Sequence, residues 1–209
     1  MFIKAIEYKN KPLEEFYSNC IKKTAEFFEL SRYDKPQLIF LENRKVIDTF
    51  FGHKTEDWVD GGSNNGIIGL LLPENYEKYC SHRYSEENYK KLIAHEVCHY
   101  FQDRLVNTYK PMWLGEGLAV YLSGQYLDKP VPTEFRNFLK YHDTLDNNIY
   151  AEPGLAIKLL VDNFGKSKLL QFIRSFNENN TEKYAKESFE RIYDMPLSYS
   201  TFNNLLVDS

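Results

Sequence analysis

The pattern of apolar and polar residues predicts a first part of the chain that mixes helices with short strands. Apolar residues recur at helical spacing over Leu13–Leu30, which predicts an amphipathic helix. Two short apolar runs, Gln37–Leu41 and Ile67–Leu72, predict buried strands, and Pro73 ends the second of them. Between these strands, Val46–Phe51 indicates a short element that the pattern does not assign to either type.

The segment between that short element and the second strand contains a cluster of glycine and asparagine. Residues Asp60–Gly66 read Asp-Gly-Gly-Ser-Asn-Asn-Gly. Glycine and asparagine favour turns because they tolerate backbone conformations that other residues avoid. The segment is therefore predicted to be a flexible turn.

From Ser85 onward the pattern indicates helices only. Ser85 is suited to cap a helix that continues to about Val106, with an acidic first turn. Pro111 is well placed to open the next helix, about Met112–Gln125. Further helices are predicted in the following segments: Thr133–Tyr141, Tyr150–Asn163, Lys166–Asn177, Thr181–Tyr193 and Ser198–Val207.

Together these elements predict an α+β fold in a single domain of 209 residues. A small mixed α/β sheet lobe would occupy residues 1–84, and an all-helical lobe would occupy residues 85–209.

Charge and cysteine usage narrow the classes of function. The net charge of −4 provides no basic surface for nucleic acid or an anionic membrane, so neither is expected as a partner. The longest apolar run is too short to span a bilayer, and no secretory leader is visible. Three cysteines without a C-x-x-C pair favour reduced thiols in the cytoplasm, although a secreted protein whose leader has been removed would look the same.

The strongest chemical signal is His95-Glu96-Val97-Cys98-His99, an H-E-x-x-H pattern. In a helix, residues four apart lie on one face, so His95 and His99 can bind one zinc ion. Glu96 would then reach a water molecule beside the ion and accept its proton as a general base. The alternative is that both histidines face the core and hydrogen bond to neighbours.

Glu116 is the candidate for the third zinc ligand. It lies between two glycines in Trp113–Ala119, an unusual setting for a surface carboxylate within a helix. A buried carboxylate needs a partner, and a metal ion is a strong one. The small residues Gly115, Gly117 and Ala119 would let this helix approach the first one closely. The alternative is a glutamate that caps a helix or faces solvent.

These two motifs, H-E-x-x-H and the following W-L-G-E-G-L-A, resemble those of the gluzincin metallopeptidases, nearest the branch of the zinc aminopeptidases and their short relatives. The resemblance extends over about Ile67–Leu206 and is specific only at the metal motif. It implies a zincin-like fold, a zinc cofactor, and a peptide or protein substrate.

The resemblance also implies a catalytic tyrosine. Tyr150, in the segment Tyr-Ala-Glu-Pro-Gly, matches the position whose hydroxyl would stabilise the oxyanion opposite the zinc ion. Two alternatives stay open. In the first, Tyr150 is simply one of sixteen tyrosines and contributes only to packing. In the second, His142 is the donor, because another gluzincin branch uses a histidine for this task.

The resemblance further implies that Ile67–Leu72 is a sheet edge that pairs with an extended substrate. The sequence departs from the aminopeptidase branch at Asn64, which stands where that branch has a carboxylate for the substrate's free amine. Asp57 and Asp60 are the nearby acids, and both precede the glycine turn. The expected activity is therefore that of an endopeptidase rather than an aminopeptidase. A non-catalytic metal- or peptide-binding module and a hydrolase of another amide or ester are the alternative functions.

Overall fold

The computed structural model describes residues 8–106, 111–139, 152–179 and 181–207. The chain divides into two compact units, one that ends at Tyr100 and one that begins at Phe101. The boundary lies inside a helix, whereas the predicted lobes meet before that helix begins. The described structure is mainly helical, with one small mixed sheet.

The first unit contains both strands and helices. Within the described residues its α-helices and strands are α1 Lys11–Phe27, β1 Gln37–Leu41, α2 Arg44–Phe51, β2 Gly61–Asn64, β3 Ile67–Leu71, α3 Tyr76–Tyr79, and most of α4 Glu86–Leu105. The prediction of a helix near the amino terminus and of strand β1 is confirmed. The unassigned element is α2, and Asn43 caps it by accepting the backbone N–H of Val46 at 3.1 Å.

The sheet has the strand order β1-β3-β2. β3 pairs with β1 in parallel and with β2 in antiparallel fashion, and Ile68, Leu70 and Leu71 on it are fully buried. The prediction that Ile67–Leu72 forms a free edge is therefore wrong, because both sides of β3 already carry backbone hydrogen bonds. Its apolar sequence reflects a central strand covered by neighbours on each side.

The predicted flexible turn is in part a strand. β2 and β3 form a hairpin whose turn consists of Asn65 and Gly66, with φ angles of 51° and 79°. A two-residue turn with positive φ at both positions matches the right-handed twist of paired strands, and Asn-Gly is its preferred sequence. Residues Gly61–Asn64 therefore extend the sheet instead of forming a loose loop.

The described residues of the second unit are mainly helical. Its helices after α4 are α5 Met112–Ser123, α6 Glu152–Phe164, α7 Lys166–Ser175, α8 Glu182–Tyr193 and α9 Tyr199–Val207. These confirm the corresponding predictions to within a few residues at each end, except that the predicted start at Tyr150 lies outside the described residues. Trp113 is fully buried, and its ring contacts Phe138, Phe172 and Phe202. This aromatic cluster joins helices that are distant in sequence.

The helix predicted for Thr133–Tyr141 is not formed over residues 133–139, where the chain consists of bends and a turn. The backbone N–H groups that a helix would use are bound by side chains. Glu152 accepts those of Arg136, Asn137 and Phe138, at 3.1, 3.0 and 3.2 Å from its Oε2 atom. Tertiary hydrogen bonds thus replace helical ones.

Two further features bear on the sequence predictions. Within the described residues, no helix combines the length and hydrophobicity that a membrane span requires. All three cysteines, Cys20, Cys80 and Cys98, are buried free thiols.

Candidate metal centre

Helix α4 carries the H-E-x-x-H segment, and local sequence explains where it begins. Ser85 caps it, since its Oγ accepts the backbone N–H of Asn88 at 3.1 Å. The buried hydroxyl of Tyr89 donates to the carbonyl of Leu71 at 2.8 Å and ties the helix to β3. Ile93 and Val97 are fully buried on the following turns. The prediction that the motif lies inside a buried helix is confirmed.

The two histidines of the motif converge. The Nε2 atoms of His95 and His99 lie 3.0 Å apart, and the rings meet edge to face with centroids 4.7 Å apart. Two ligands of one tetrahedral zinc ion are about 3.3 Å apart when each metal–nitrogen bond is about 2.0–2.1 Å. The observed separation is therefore close to that of a shared ion. His95 is 8 % exposed, and His99 is half-buried.

Glu116 completes the group. A carboxylate oxygen of Glu116 and a ring nitrogen from each histidine all lie within 4.8 Å of one another. Glu116 lies on α5, which begins after Pro111, and the carbonyl of Pro111 accepts the backbone N–H groups of Leu114 and Gly115. Two imidazoles and one carboxylate form a donor set that leaves one position of a tetrahedral ion open. The donor chemistry and the convergence both fit a divalent metal such as zinc.

Glu96 follows His95 directly on α4 and is only 6 % exposed. Its carboxylate is thus largely removed from bulk water beside the candidate ligands. Transfer of a carboxylate out of water is costly unless charged or polar partners compensate it. Glu96 is the residue that the sequence predicts as the general base.

Gln102 contacts the backbone next to Glu116 and is not among the predicted site residues. It lies three residues after His99 on α4, it is fully buried, and its Nε2 donates to the carbonyl of Gly115 at 2.9 Å. Gly115 immediately precedes Glu116. In the sequence, its position one helical turn after the candidate ligand His99 is the signal that could have identified it, because a polar side chain buried there needs a hydrogen-bond partner.

Gly117 has a different role from the predicted one. A Cβ atom there would lie 2.8 Å from the carbonyl oxygen of Pro153 and 3.0 Å from Ile157, both on α6. The predicted contact of this glycine with the H-E-x-x-H helix is therefore wrong, because its open side faces α6. Gly154 on α6 meets Val120 of α5 in the same way, at 2.4 Å for a built Cβ.

The remaining predicted residues either lie outside the described part of the chain or make contacts within the sheet unit. Tyr150 and His142 lie outside the described residues. Asn64 donates through its side-chain amide to the carbonyl of Phe50 at 2.6 Å, which joins β2 to α2. Of the two nearby acids, Asp60 accepts a hydrogen bond from the Tyr76 hydroxyl, so its carboxylate is engaged within the sheet unit.

Comparison with known proteins adds no assignment. No protein-family model, no curated protein and no solved structure matches this chain.

Proposed function

We propose that this protein is a zinc-dependent peptidase of the gluzincin type, with His95, His99 and Glu116 as its zinc ligands. The observation that carries the proposal is the 3.0 Å separation of the two histidine Nε2 atoms, together with the Glu116 carboxylate in the same cluster. The motif resemblance supplies the reaction class.

In the proposed hydrolysis, the metal ion acts as a Lewis acid and a side chain of the protein transfers the proton. A bound zinc ion supplies a Lewis acid that polarises a carbonyl and lowers the pKa of water to about 7. Glu96 accepts the proton of the attacking water and passes it to the nitrogen of the departing amine. Glu96 is 6 % exposed and directly follows the candidate ligand His95 in sequence, and both facts support this assignment.

The substrate is proposed to lie extended along β2 instead of β3. β2 is paired with β3 on one side, and no strand within the described part of the chain pairs with its other side. An extended peptide that adds to this edge would form backbone hydrogen bonds with Gly61–Asn64. These bonds do not depend on side chains, so they suit a peptidase with broad sequence tolerance.

The mode of cleavage is proposed to be internal. An aminopeptidase must pair the substrate's terminal ammonium with a carboxylate, because an unpaired charge in a desolvated pocket is costly. Asn64 carries no charge, and its amide already donates to Phe50. Tyr150, or else His142, remains the predicted donor to the oxyanion.

The proposal is tested with Glu96→Gln, which keeps the size of the side chain and removes the proton acceptor. Hydrolysis of a denatured protein substrate should fall by at least about 100-fold, the scale of general-base catalysis. The zinc content should not change, because Glu96 is not a ligand. Glu87→Gln is the matched control, since Glu87 is exposed on the same helix. An unchanged rate, or loss of zinc from Glu96→Gln, would count against the assigned role.

A further inference from the structure

A second cluster of metal-binding side chains lies in the first unit. Asp60, Cys80 and His82 each place one ligand atom within 4.8 Å of the other two. Asp60 immediately precedes β2, and Cys80 immediately follows α3. The three residues belong to neither the H-E-x-x-H segment nor the helix that carries Glu116.

The carboxylate and the thiol are held by hydrogen bonds from their surroundings. The carbonyl of Asp60 accepts the backbone N–H of Leu71 at 2.7 Å, and its Oδ2 accepts the hydroxyl of Tyr76. The Sγ of Cys80 accepts the backbone N–H of His82 at 3.4 Å. Such contacts orient metal ligands and stabilise a thiolate once it forms.

A single guanidinium joins the two segments that carry these ligands. Arg44 on α2 donates to the carbonyl of Val59 at 2.6 Å and also to the carbonyl of Tyr79. Val59 and Tyr79 directly precede Asp60 and Cys80. The backbone on both sides of the cluster is therefore positioned by the fold itself, so little reorganisation is needed for a metal to bind.

We propose that Asp60, Cys80 and His82 form a second metal site, suited to zinc, at the start of β2. The Nδ1 atom of His82 lies 3.7 Å from Oδ2 of Asp60, close to the about 3.3–3.6 Å between ligands of one tetrahedral zinc ion. The His82 side chain is 56 % exposed, so it can close the small remaining gap without disturbing the core. Thiolate and imidazole ligands favour zinc over magnesium or calcium.

The same cluster is poorly suited to be a nucleophilic cysteine site. The Cys80 thiol donates to the carbonyl of Trp58 at 3.7 Å, and burial raises the pKa of this thiol. A thiol in this state is a weak nucleophile. A metal ion would displace the proton to solvent and leave Sγ as a ligand.

The test uses cobalt(II) as a probe on the full chain after removal of bound metal. A cobalt ion with a cysteine ligand has a sulfur-to-metal charge-transfer band in the near ultraviolet, whereas the candidate centre of His95, His99 and Glu116 contains no sulfur. The wild-type protein should develop this band on titration. Cys80→Ser should abolish it, while Cys20→Ser, at another buried cysteine, should leave it intact.

Two further variants keep the test decisive if Cys80→Ser does not fold. His82→Asn, at an exposed side chain, should weaken cobalt binding at the sulfur-containing site by at least tenfold. Tyr76→Phe, which removes the donor to Asp60, should weaken cobalt binding by about 10–100-fold.

The proposal is overturned if the wild-type protein shows no band, if the band persists in Cys80→Ser, or if the affinity for cobalt is unchanged in His82→Asn. A band that disappears instead in Cys98→Ser would assign the sulfur to another residue. These results are independent of the proposed peptidase activity.

Discussion

The hydroxyl of Tyr89 donates a hydrogen bond to the carbonyl of Leu71 at 2.8 Å in the interior of the first unit. This contact joins the first turn of the helix that carries the H-E-x-x-H segment to the last residue of the central strand. Burial raises the pKa of Tyr89 well above its usual range, so the hydroxyl remains a donor at any working pH.

Tyr89→Phe should therefore destabilise the protein without changing its packing. Loss of one buried hydrogen bond costs about 1 kcal/mol of unfolding free energy, with more if the carbonyl is left unsatisfied. The measurement is the urea midpoint followed by circular dichroism. Tyr33→Phe, at an exposed tyrosine, is the control and should have almost no effect. Equal midpoints for Tyr89→Phe and wild type would show that this contact does not anchor the helix.

Glu152→Gln tests the carboxylate that replaces helical hydrogen bonding in residues 136–138. An amide retains one acceptor oxygen but loses the negative charge and places an NH₂ group among N–H donors. Hydrogen bonds to charged groups contribute about 1.5–3 kcal/mol, so a loss of this size is expected. Glu187→Gln, on the exposed face of α8, should change the unfolding free energy by less than about 0.5 kcal/mol. Similar losses of unfolding free energy in the two variants would contradict this role of the Glu152 carboxylate.

Gly117→Ala distinguishes helix propensity from packing. Alanine is the better helix former by about 1 kcal/mol, so an unpacked position would be stabilised. Here the added carbon would lie 2.8 Å from the Pro153 carbonyl oxygen, and backbone cannot move aside easily. We expect net destabilisation of about 1–3 kcal/mol in urea unfolding. A midpoint at or above that of wild type would show that α5 and α6 can separate at no cost.

The proposed internal cleavage predicts how substrates with blocked ends behave. Matched peptides with free and acetylated amino termini should be cut at comparable rates, because Asn64 offers no charge to the terminal ammonium. Mass spectrometry of the products identifies the cleaved bonds. Release of single residues from the free peptides alone would establish an aminopeptidase and leave the zinc assignment intact.

The helices and their beginnings were largely predictable because their signals are local. Ser85 caps α4, Pro111 precedes α5, and the hydroxyl of Thr181 accepts the backbone N–H of Tyr184 at the start of α8. The convergence of His95 and His99 is local as well, since it follows from the period of a helix. These parts of the fold and of the candidate site therefore follow from short stretches of sequence.

The structure departs from the sequence predictions where the local pattern is ambiguous or where distant partners decide the conformation. The Asn65-Gly66 dipeptide is a hairpin signal, but the glycines of β2 carry no apolar alternation, so the local pattern predicts a turn there. Residues 135–139 are shaped by Glu152, Tyr199 and Asn203, whose side chains bind their backbone N–H groups. No local pattern indicates partners up to 68 residues away.

The zinc content of two variants tests the central claim most directly. Cys80→Ser removes the proposed second site, so any zinc that remains reports on His95, His99 and Glu116 alone. Protein prepared without chelator or a metal-affinity tag should contain one zinc ion per Cys80→Ser chain, by atomic absorption. Adding His99→Ala should remove it while the far-ultraviolet circular dichroism stays unchanged. Equal zinc in the two folded variants, or none in Cys80→Ser, would contradict the assignment of the metal centre.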